Sequence, residues 1–326
     1  MKDNSSATLP SRAVILRPQP SGLWLGLAGV AAFSFTVPLT KVAVAGLSPL
    51  FIGSGRAVVA GVLAASALAL SRQRLPRGTQ WLRLAVVAAG VVIGFPLLTS
   101  FALTSTPASH GAVVIALLPA ATATAAVIRG RERPPLAFWL ISGLGAFAVI
   151  AFASLQSGGL GVLHWADLLL LGSVAAAAVG YAEGGLLARE LGSWQTISWA
   201  LVLALPLMLA AAAVSAIQQP PSATLAQWAA FAYLAVVSMF LGFFAWYRGL
   251  AIGPIARVSQ IQLIQPVLSI CWAALLLGEG LTWSTVLGGL AVILCAGAAV
   301  RVRFRPAPDA LPSTVLPSTV LQPAKD

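Results

Sequence analysis

The sequence predicts an all-α integral membrane protein with ten transmembrane helices in two inverted five-helix repeats. Three observations support this fold class: the composition, the spacing of apolar runs and an internal repeat. Of the 326 residues, 59% are hydrophobic and only 8% are charged, whereas a soluble protein carries about 25% charged residues. Too few polar side chains remain to cover a soluble domain, so the net charge of +11 does not indicate a nucleic-acid-binding surface.

Long apolar runs recur at regular intervals along the chain. A helix needs about 20 mainly apolar residues to cross the hydrocarbon core of a bilayer. Ten segments meet this requirement, and the short loops between them leave no room for another folded domain. The predicted spans are Leu23–Lys41, Pro49–Leu70, Trp81–Leu103, Ala108–Ile128, Ala137–Leu155, Ala166–Ala188, Thr196–Ile217, Ala226–Leu250, Ile255–Leu277 and Thr285–Val300.

The distribution of lysine and arginine predicts the orientation of these spans. In a ten-span arrangement, all of the 19 basic residues except Lys41 and Arg56 fall on one side of the membrane. Loops rich in Lys and Arg remain in the cytoplasm. We therefore expect a multi-pass protein of the plasma membrane (the inner membrane of a bacterium) with both termini cytoplasmic. Residues 1–20 and 302–326 would be cytoplasmic tails, and the Pro- and Ser-rich second tail is expected to be disordered.

The two halves of the sequence resemble each other. Three pairs of landmarks are each separated by 147 positions, namely Pro107/Pro254, Pro119/Pro266 and Glu132/Glu279. This register divides the chain into two units, residues 21–155 and 156–301, and Pro119 and Pro266 are expected to kink the matching helices. Because each unit holds an odd number of spans, the second must insert upside down. Inverted repeats with a binding site near the bilayer midplane are typical of secondary transporters.

The ninth predicted span carries the most informative polar residues. Ser259, Gln262 and Gln265 recur at every third position and share one helix face, with Gln260 beside them. Such residues either hydrogen-bond to neighbouring helices or line an aqueous cavity. The matching positions of the first repeat are apolar, which favours the cavity. We expect Gln262, Gln265 and Tyr181 of the sixth span to face it together.

An intramembrane cation and several aromatic residues are further candidates for a substrate site. Arg56, in the second span, is either a clamp for a carboxylate or other anion, or a cation that fixes helix packing. Most aromatic side chains in such helices pack against neighbours or lie at the membrane interface. The ones assigned to the site, where they would hold the apolar part of a substrate, are Tyr181, Phe95, Phe33 and Phe243.

Two titratable residues are candidates for coupling or gating. Glu183, near the end of the sixth span, could couple transport to protons or bind a substrate amine. It could equally pair with Arg189 or face cytosolic water. His110, near the start of the fourth span, is either part of a pH-linked gate or an interfacial histidine. Proton coupling is therefore one of the alternatives.

Other functional classes lack the residues that they need. The two histidines are 54 positions apart, which does not fit the ligand pattern of a metal-dependent protease. The chain has no glycine-rich phosphate loop of an ATP-driven pump. Cys271 and Cys295 lie within apolar runs and are expected to be small hydrophobic side chains without redox chemistry. We therefore predict no enzyme activity, no metal site and no cofactor.

The residue pattern also resembles the EamA domain, which is duplicated in the drug/metabolite transporter superfamily. The start of this domain is similar to Trp24, Pro38, Lys41, Ser48-Pro49 and Arg56, and its end to Leu118-Pro119, Glu132, Gln265-Pro266 and Gly278-Glu279. The resemblance covers residues 21–301 and implies ten helices and cytoplasmic termini. It also implies export of amino acids, drugs or other metabolites, and the chain is similar to bacterial aromatic amino acid exporters. The second repeat departs from the pattern, because an apolar residue near Leu201 stands at the position that corresponds to Arg56 of the first repeat.

The predicted function is a secondary transporter that exports amino acids or similar small amphipathic metabolites by alternating access. Drugs, sugars and nucleotide-like metabolites are the alternative substrates. A channel or an intramembrane enzyme fits the pattern less well, because inverted repeats are typical of carriers. The expected partners are a small-molecule substrate and the lipid bilayer, without nucleic acid.

Overall fold

The computed structural model describes residues 20–130, 164–252 and 255–301, together with eight scattered positions between 136 and 148. All regular elements in this part of the chain are helical, and seven helices are long and apolar enough to cross a bilayer. The predicted all-α, multi-pass membrane class is thereby confirmed. Most of the predicted fifth span, 137–155, and both predicted tails lie outside the described residues, so the count of ten spans stays a prediction.

The long helices follow the predicted spans closely. The helix Ile264–Leu277 is preceded by a short helix, Ile255–Val258, and a 3-10 segment, Ser259–Leu263. The helices are α1 (Gly22–Val44), α2 (Pro49–Leu70), α3 (Gln80–Ser105), α4 (Ala108–Arg129), α5 (Trp165–Leu191), α6 (Ser193–Gln218), α7 (Leu225–Ile252), α8 (Ile264–Leu277) and α9 (Trp283–Arg301).

Local sequence explains where several helices begin and end. The Ser48 hydroxyl accepts a hydrogen bond from the backbone N–H of Phe51 at 3.1 Å, and Pro49 occupies the first position of α2, where no N–H is needed. Thr224 begins α7 through a capping box. After α8, Gly278 adopts a φ of 66°, which glycine reaches without steric cost and which ends the helix.

Prolines coincide with breaks in three helical spans. Because proline has no N–H, the carbonyl group four residues earlier loses its helical partner. The helix is interrupted just ahead of Pro38 in α1 and of Pro119 in α4, and the 3-10 segment lies just ahead of Pro266. At the break in α1, the carbonyl oxygen of Ser34 accepts a hydrogen bond from a side chain of another helix, Ser269.

The helix packing reflects the duplication of the sequence. Two π-helical segments, Ala88–Gly94 in α3 and Leu234–Leu241 in α7, begin 146 positions apart, close to the spacing of the sequence repeat. Such segments are rare and often occur at functional sites. Helix α1 packs against α7 as α5 packs against α3, while α2 packs against α6. The inverted orientation of the second repeat stays a prediction.

Glycines allow the paired helices to approach closely. Where α3 crosses α5, a Cβ atom added to Gly90 would lie 2.4 Å from the carbonyl oxygen of Ala176 and 3.0 Å from Cα of Gly180. Where α1 crosses α7, a Cβ atom on Gly249 would lie 2.9 Å from the carbonyl oxygen of Gly22. Small residues at such crossings are a usual means of packing helices in a membrane.

The substitution Gly90→Ala should therefore destabilise the protein. The atoms that the new methyl group would meet belong to the backbone and cannot rotate away, so we expect a cost of about 1–3 kcal/mol. Gly289→Ala is the matched control, since its Cβ would stand at an ordinary contact distance, 3.5 Å from Cδ1 of Ile270. Thermal unfolding in detergent compares the two variants, and equal unfolding midpoints would contradict the tight crossing.

Candidate functional site

A small, partly enclosed cavity lies in the middle of the bundle, where helices of both repeats meet. Its volume is about 20 Å³, which is room for little more than one water molecule. Its wall combines one cation with uncharged polar, aromatic and aliphatic side chains. The lining residues are Phe33, Thr36, Arg56, Val91, Phe95, Ala177, Tyr181, Ser238, Met239, Phe243 and Gln265.

Arg56 brings a positive charge from α2 into this apolar interior. Only 2% of the residue is exposed, and its Nε and Nη1 atoms have no hydrogen-bond partner among the described residues. The ion pairs that the described residues form do not include it. Taking a charge out of water without a partner costs several kcal/mol, so the cavity wall holds a cation that would be stabilised by an anionic ligand.

The predicted polar face around α8 is divided between two locations. Gln265 lines the cavity, and its Oε1 atom has no hydrogen-bond partner in the described part of the chain. Gln262 is only 1% exposed and both its amide atoms are likewise unpartnered, but it does not line this cavity. Ser259 is buried, and the side chain of Gln260 lies outside the described residues. Side chains three residues apart are eclipsed in a 3-10 helix, which aligns Ser259 with Gln262.

Another polar residue of α8 bonds to the break in α1. The carbonyl oxygen of Ser34, four residues before Pro38, accepts a hydrogen bond from the Ser269 hydroxyl at 2.7 Å. The indole N–H of Trp272 donates to the Ser34 hydroxyl at 3.1 Å. Polar residues of this span thus have both of the roles considered from the sequence, since Ser269 joins two helices and Gln265 lines the cavity.

Aromatic rings form much of the cavity wall. The ring centroid of Phe33 lies 6.4 Å from that of Tyr181 and 5.0 Å from that of Phe243. Phe95 lines the cavity from α3. Trp246 is fully buried and packs against these rings, with its ring centroid 5.5 Å from that of Tyr181. The structure therefore brings together the four aromatic residues that the sequence analysis selected.

The cavity also contains residues that the sequence analysis missed. Thr36 and Ser238 hydrogen-bond to each other through their hydroxyl groups at 2.7 Å and so join α1 to α7. Thr36 follows the break in α1, and Ser238 lies in the π-helical segment of α7. Val91 lies in the corresponding segment of α3, and Met239 is adjacent to Ser238. These residues all lie in or next to irregular helix backbone. Of these irregularities, only the break at Pro38, near Thr36, is visible in the sequence.

Glu183 lies in an ion-pair network at one end of the bundle and does not line the cavity. Its carboxylate accepts hydrogen bonds from Nε of Arg83 in α3 and, at 2.6 Å, from Nε of Arg129 at the end of α4. Glu190, also in α5, bonds to Arg83. The Glu183 side chain is 6% exposed, compared with 45% for Glu190. These four residues, termed the basic-end cluster, tie three helices together.

A second polar network lies at the other end of α4. His110 Nε2 is 2.6 Å from Oδ1 of Asp167, and both residues are buried. The other carboxylate oxygen of Asp167 accepts a hydrogen bond from the backbone N–H of His164 at 3.0 Å, at the start of α5. Glu279 caps α4 by accepting backbone hydrogen bonds, one of them from Ala108 at 2.7 Å. These side chains line a cavity of about 400 Å³.

These features define a multi-pass helical membrane protein with a duplicated architecture and a polar cavity between its halves. A sequence profile of the EamA-like transporter family matches residues 20–154 and 164–300. The chain belongs to the EamA-like transporter family, as the resemblance of its residue pattern predicted. It is thus a transporter and not an enzyme.

Individual relatives extend this similarity over nearly the whole chain. YdeK of Bacillus subtilis (strain 168), named an uncharacterized transporter, is 46% identical over 285 residues, which cover 85% of this chain and 96% of YdeK. A crystal structure of another protein has the same fold, with a TM-score of 0.60 at 18% identity, covering 86% of this chain and 96% of the other. The fold is therefore shared over most of the chain.

Proposed function

We propose that the protein is a secondary transporter that exports amino acids or similar small amphipathic metabolites by alternating access. The central cavity is the substrate site, with Arg56 and Gln265 as polar contacts and the four aromatic residues around the apolar part. Ser259 and Gln262 extend the polar face beside it, and Gln260 is assigned to this face from the sequence alone. The observation that carries this proposal is a cavity with a cation, an amide and aromatic rings, whose α5 residues lie between those of two polar networks.

The proposed architecture has ten spans in two inverted repeats, residues 21–155 and 156–301. The matching π-helical segments and the reciprocal pairing of α1 with α7 and α5 with α3 support it. We assign the basic end to the cytoplasm, because the loop before α3, with Arg72, Arg74 and Arg77, lies at that end. Both termini are then cytoplasmic.

Alternating access requires the two ends to open in turn. Helix α4 has 22 residues and is about 33 Å long, and the two networks lie at its opposite ends. Glu183 joins α5 to α3 and α4 at the basic end, while Asp167 joins α5 to His110 of α4 at the other. Glu183 and His110 are therefore proposed as gating residues on either side of the substrate.

Counterflow in proteoliposomes tests this function directly. Labelled amino acids should exchange saturably across the membrane, with and without a pH gradient to reveal proton coupling. Gln265→Ala removes a cavity amide and is expected to raise the apparent KM about tenfold, because a substrate hydrogen bond in a buried site is lost. Gln262→Ala measures how far the substrate reaches along the polar face.

Gln219→Ala is the control for these variants. Gln219 lies after α6 and is exposed, so the same substitution should leave exchange unchanged. Saturable exchange of a drug, sugar or nucleotide-like compound in place of amino acids would reassign the substrate. The absence of saturable exchange for all these classes, or equal effects of all three substitutions, would contradict the proposed carrier site.

A further inference from the structure

We propose that the central cavity selects amphipathic organic anions, and that it recognises a single carboxylate through Arg56 without any contribution from a substrate amine. The inference rests on the proposed function, because it names the class of substrate that the same cavity accepts. Monocarboxylates with an aromatic or other compact apolar body would then be better ligands than zwitterionic amino acids, and amines of the same shape would be excluded.

Arg56 brings unpartnered hydrogen-bond donors to the cavity wall. A guanidinium presents a planar set of donors that matches a carboxylate through two parallel hydrogen bonds. Two of its three nitrogens, Nε and Nη1, are buried without a partner among the described residues. Each of them forms, together with Nη2, one of the two edges of the guanidinium that a carboxylate can engage with both oxygens. An incoming carboxylate on either edge would therefore satisfy one of the unpartnered donors and neutralise a buried charge in one step.

A substrate ammonium group would need an acidic residue in the cavity wall. The described part of the chain contains four carboxylate side chains, and each is engaged away from the cavity. Asp167 contacts His110 and the start of α5, and Glu279 caps α4. Glu183 and Glu190 lie in the basic-end cluster. The lining residues accordingly include one cation and no anion.

The remaining wall suits an uncharged, compact group. Phe33, Phe95 and Phe243 supply apolar surface, and the hydroxyl groups of Thr36 and Ser238 already bond to each other. An ammonium group among these side chains would find a neutral acceptor in Gln265 Oε1 but no carboxylate, and it would lie beside the Arg56 charge, which repels it. The cavity of about 20 Å³ must widen when a ligand enters, and the flexible Met239 side chain in its wall can change rotamer to allow this.

Three compounds with the same phenyl body separate the contributions of the charged groups. 3-Phenylpropionate carries only the carboxylate, phenethylamine only the ammonium group, and phenylalanine carries both. Equilibrium binding to the purified full-length protein at neutral pH is measured by calorimetry and by the ligand-induced rise in unfolding temperature. We expect 3-phenylpropionate to bind at least as tightly as phenylalanine, and about tenfold or more tighter than phenethylamine.

Two substitutions locate the effect at Arg56. Arg56→Gln should weaken 3-phenylpropionate binding about tenfold or more while leaving the weak phenethylamine binding unchanged or improved. Arg56→Lys keeps the charge but loses the planar fork, and it should retain part of the affinity. Arg189→Gln is the matched control at the exposed end of α5 and should not alter the preference among the three compounds. If Arg56→Gln fails to fold, the ligand series on the unaltered protein decides the question.

The outcomes separate this inference from the carrier function. Tighter binding of phenylalanine than of 3-phenylpropionate, or tighter binding of phenethylamine, would overturn anion selection even if counterflow proves the protein a carrier. Anion selection is also overturned if none of the three compounds binds while other substrates exchange. Arg56-dependent binding of 3-phenylpropionate without any exchange of it would support the anion site and count against the carrier.

Discussion

Replacing Glu183 with glutamine is expected to open the basic end of the protein while leaving the chain folded. The neutral amide cannot hold both Arg83 and Arg129 with charge-assisted hydrogen bonds, so α5 should separate more readily from α3 and α4. The two arginine side chains, 19% and 55% exposed, can be solvated by water when the carboxylate is lost. The main effect should therefore fall on the conformational equilibrium and not on folding.

A cysteine in the central cavity reports this opening. Val91→Cys is introduced after Cys271 and Cys295 have been replaced by alanine, because Val91 lines the cavity and is only 3% exposed. A membrane-impermeant maleimide should then label it slowly in the parent and about tenfold faster in Glu183→Gln, as a loss of about 1.4 kcal/mol in the closed state implies. Inside-out and right-side-out vesicles show from which side the label enters.

Glu190→Gln is the matched control for the gate. It removes a carboxylate from the same helix and the same partner, Arg83, but its side chain is largely exposed and does not reach Arg129. Exposed ion pairs contribute little, so labelling should stay close to that of the parent. A parental labelling rate in Glu183→Gln, or an equal increase in both variants, would show that the cluster does not close this end.

The positions of the helices were predictable because the bilayer fixes both their length and their composition. The predicted second span and α2 have the same bounds, Pro49–Leu70. The composition of the sequence does not predict where the helix backbone is irregular. The π-helical segments in α3 and α7 place Val91 and Ser238 in the cavity wall, but the amino-acid pattern around them is that of an ordinary apolar helix.

The site was predictable where a polar residue stands out against an apolar span. Arg56 and Gln265 were selected for this reason, and both line the central cavity. The partners of such residues were not predictable, since they come from distant parts of the chain. Glu183 meets Arg83 and Arg129 from two other helices, a contact that depends on tertiary packing. Among the alternatives left open by the sequence, these contacts favour gating over recognition of a substrate amine.

The second large effect is expected at the opposite end, from Asp167→Asn. The residue is only 1% exposed, and its carboxylate accepts hydrogen bonds at both oxygens, from His110 if Nε2 carries the proton and from the backbone N–H of His164. The substitution keeps the shape but removes the charge that stabilises both contacts. Loss of a buried hydrogen-bonded charge typically costs about 2–4 kcal/mol, so the unfolding temperature in detergent should fall by several degrees.

A double-mutant cycle separates the His110 contact from the helix cap that the same carboxylate forms. His110→Gln alone removes the imidazole, and the double variant removes both partners at once. If the 2.6 Å contact stabilises the protein, the double variant should lose less stability than the sum of the single variants, with a coupling of about 1 kcal/mol or more. Strict additivity would assign the whole effect of Asp167→Asn to the cap at α5. A positive coupling would mean that opening this end must break a buried hydrogen bond, as the proposed opening of the basic end must break the contacts of Glu183.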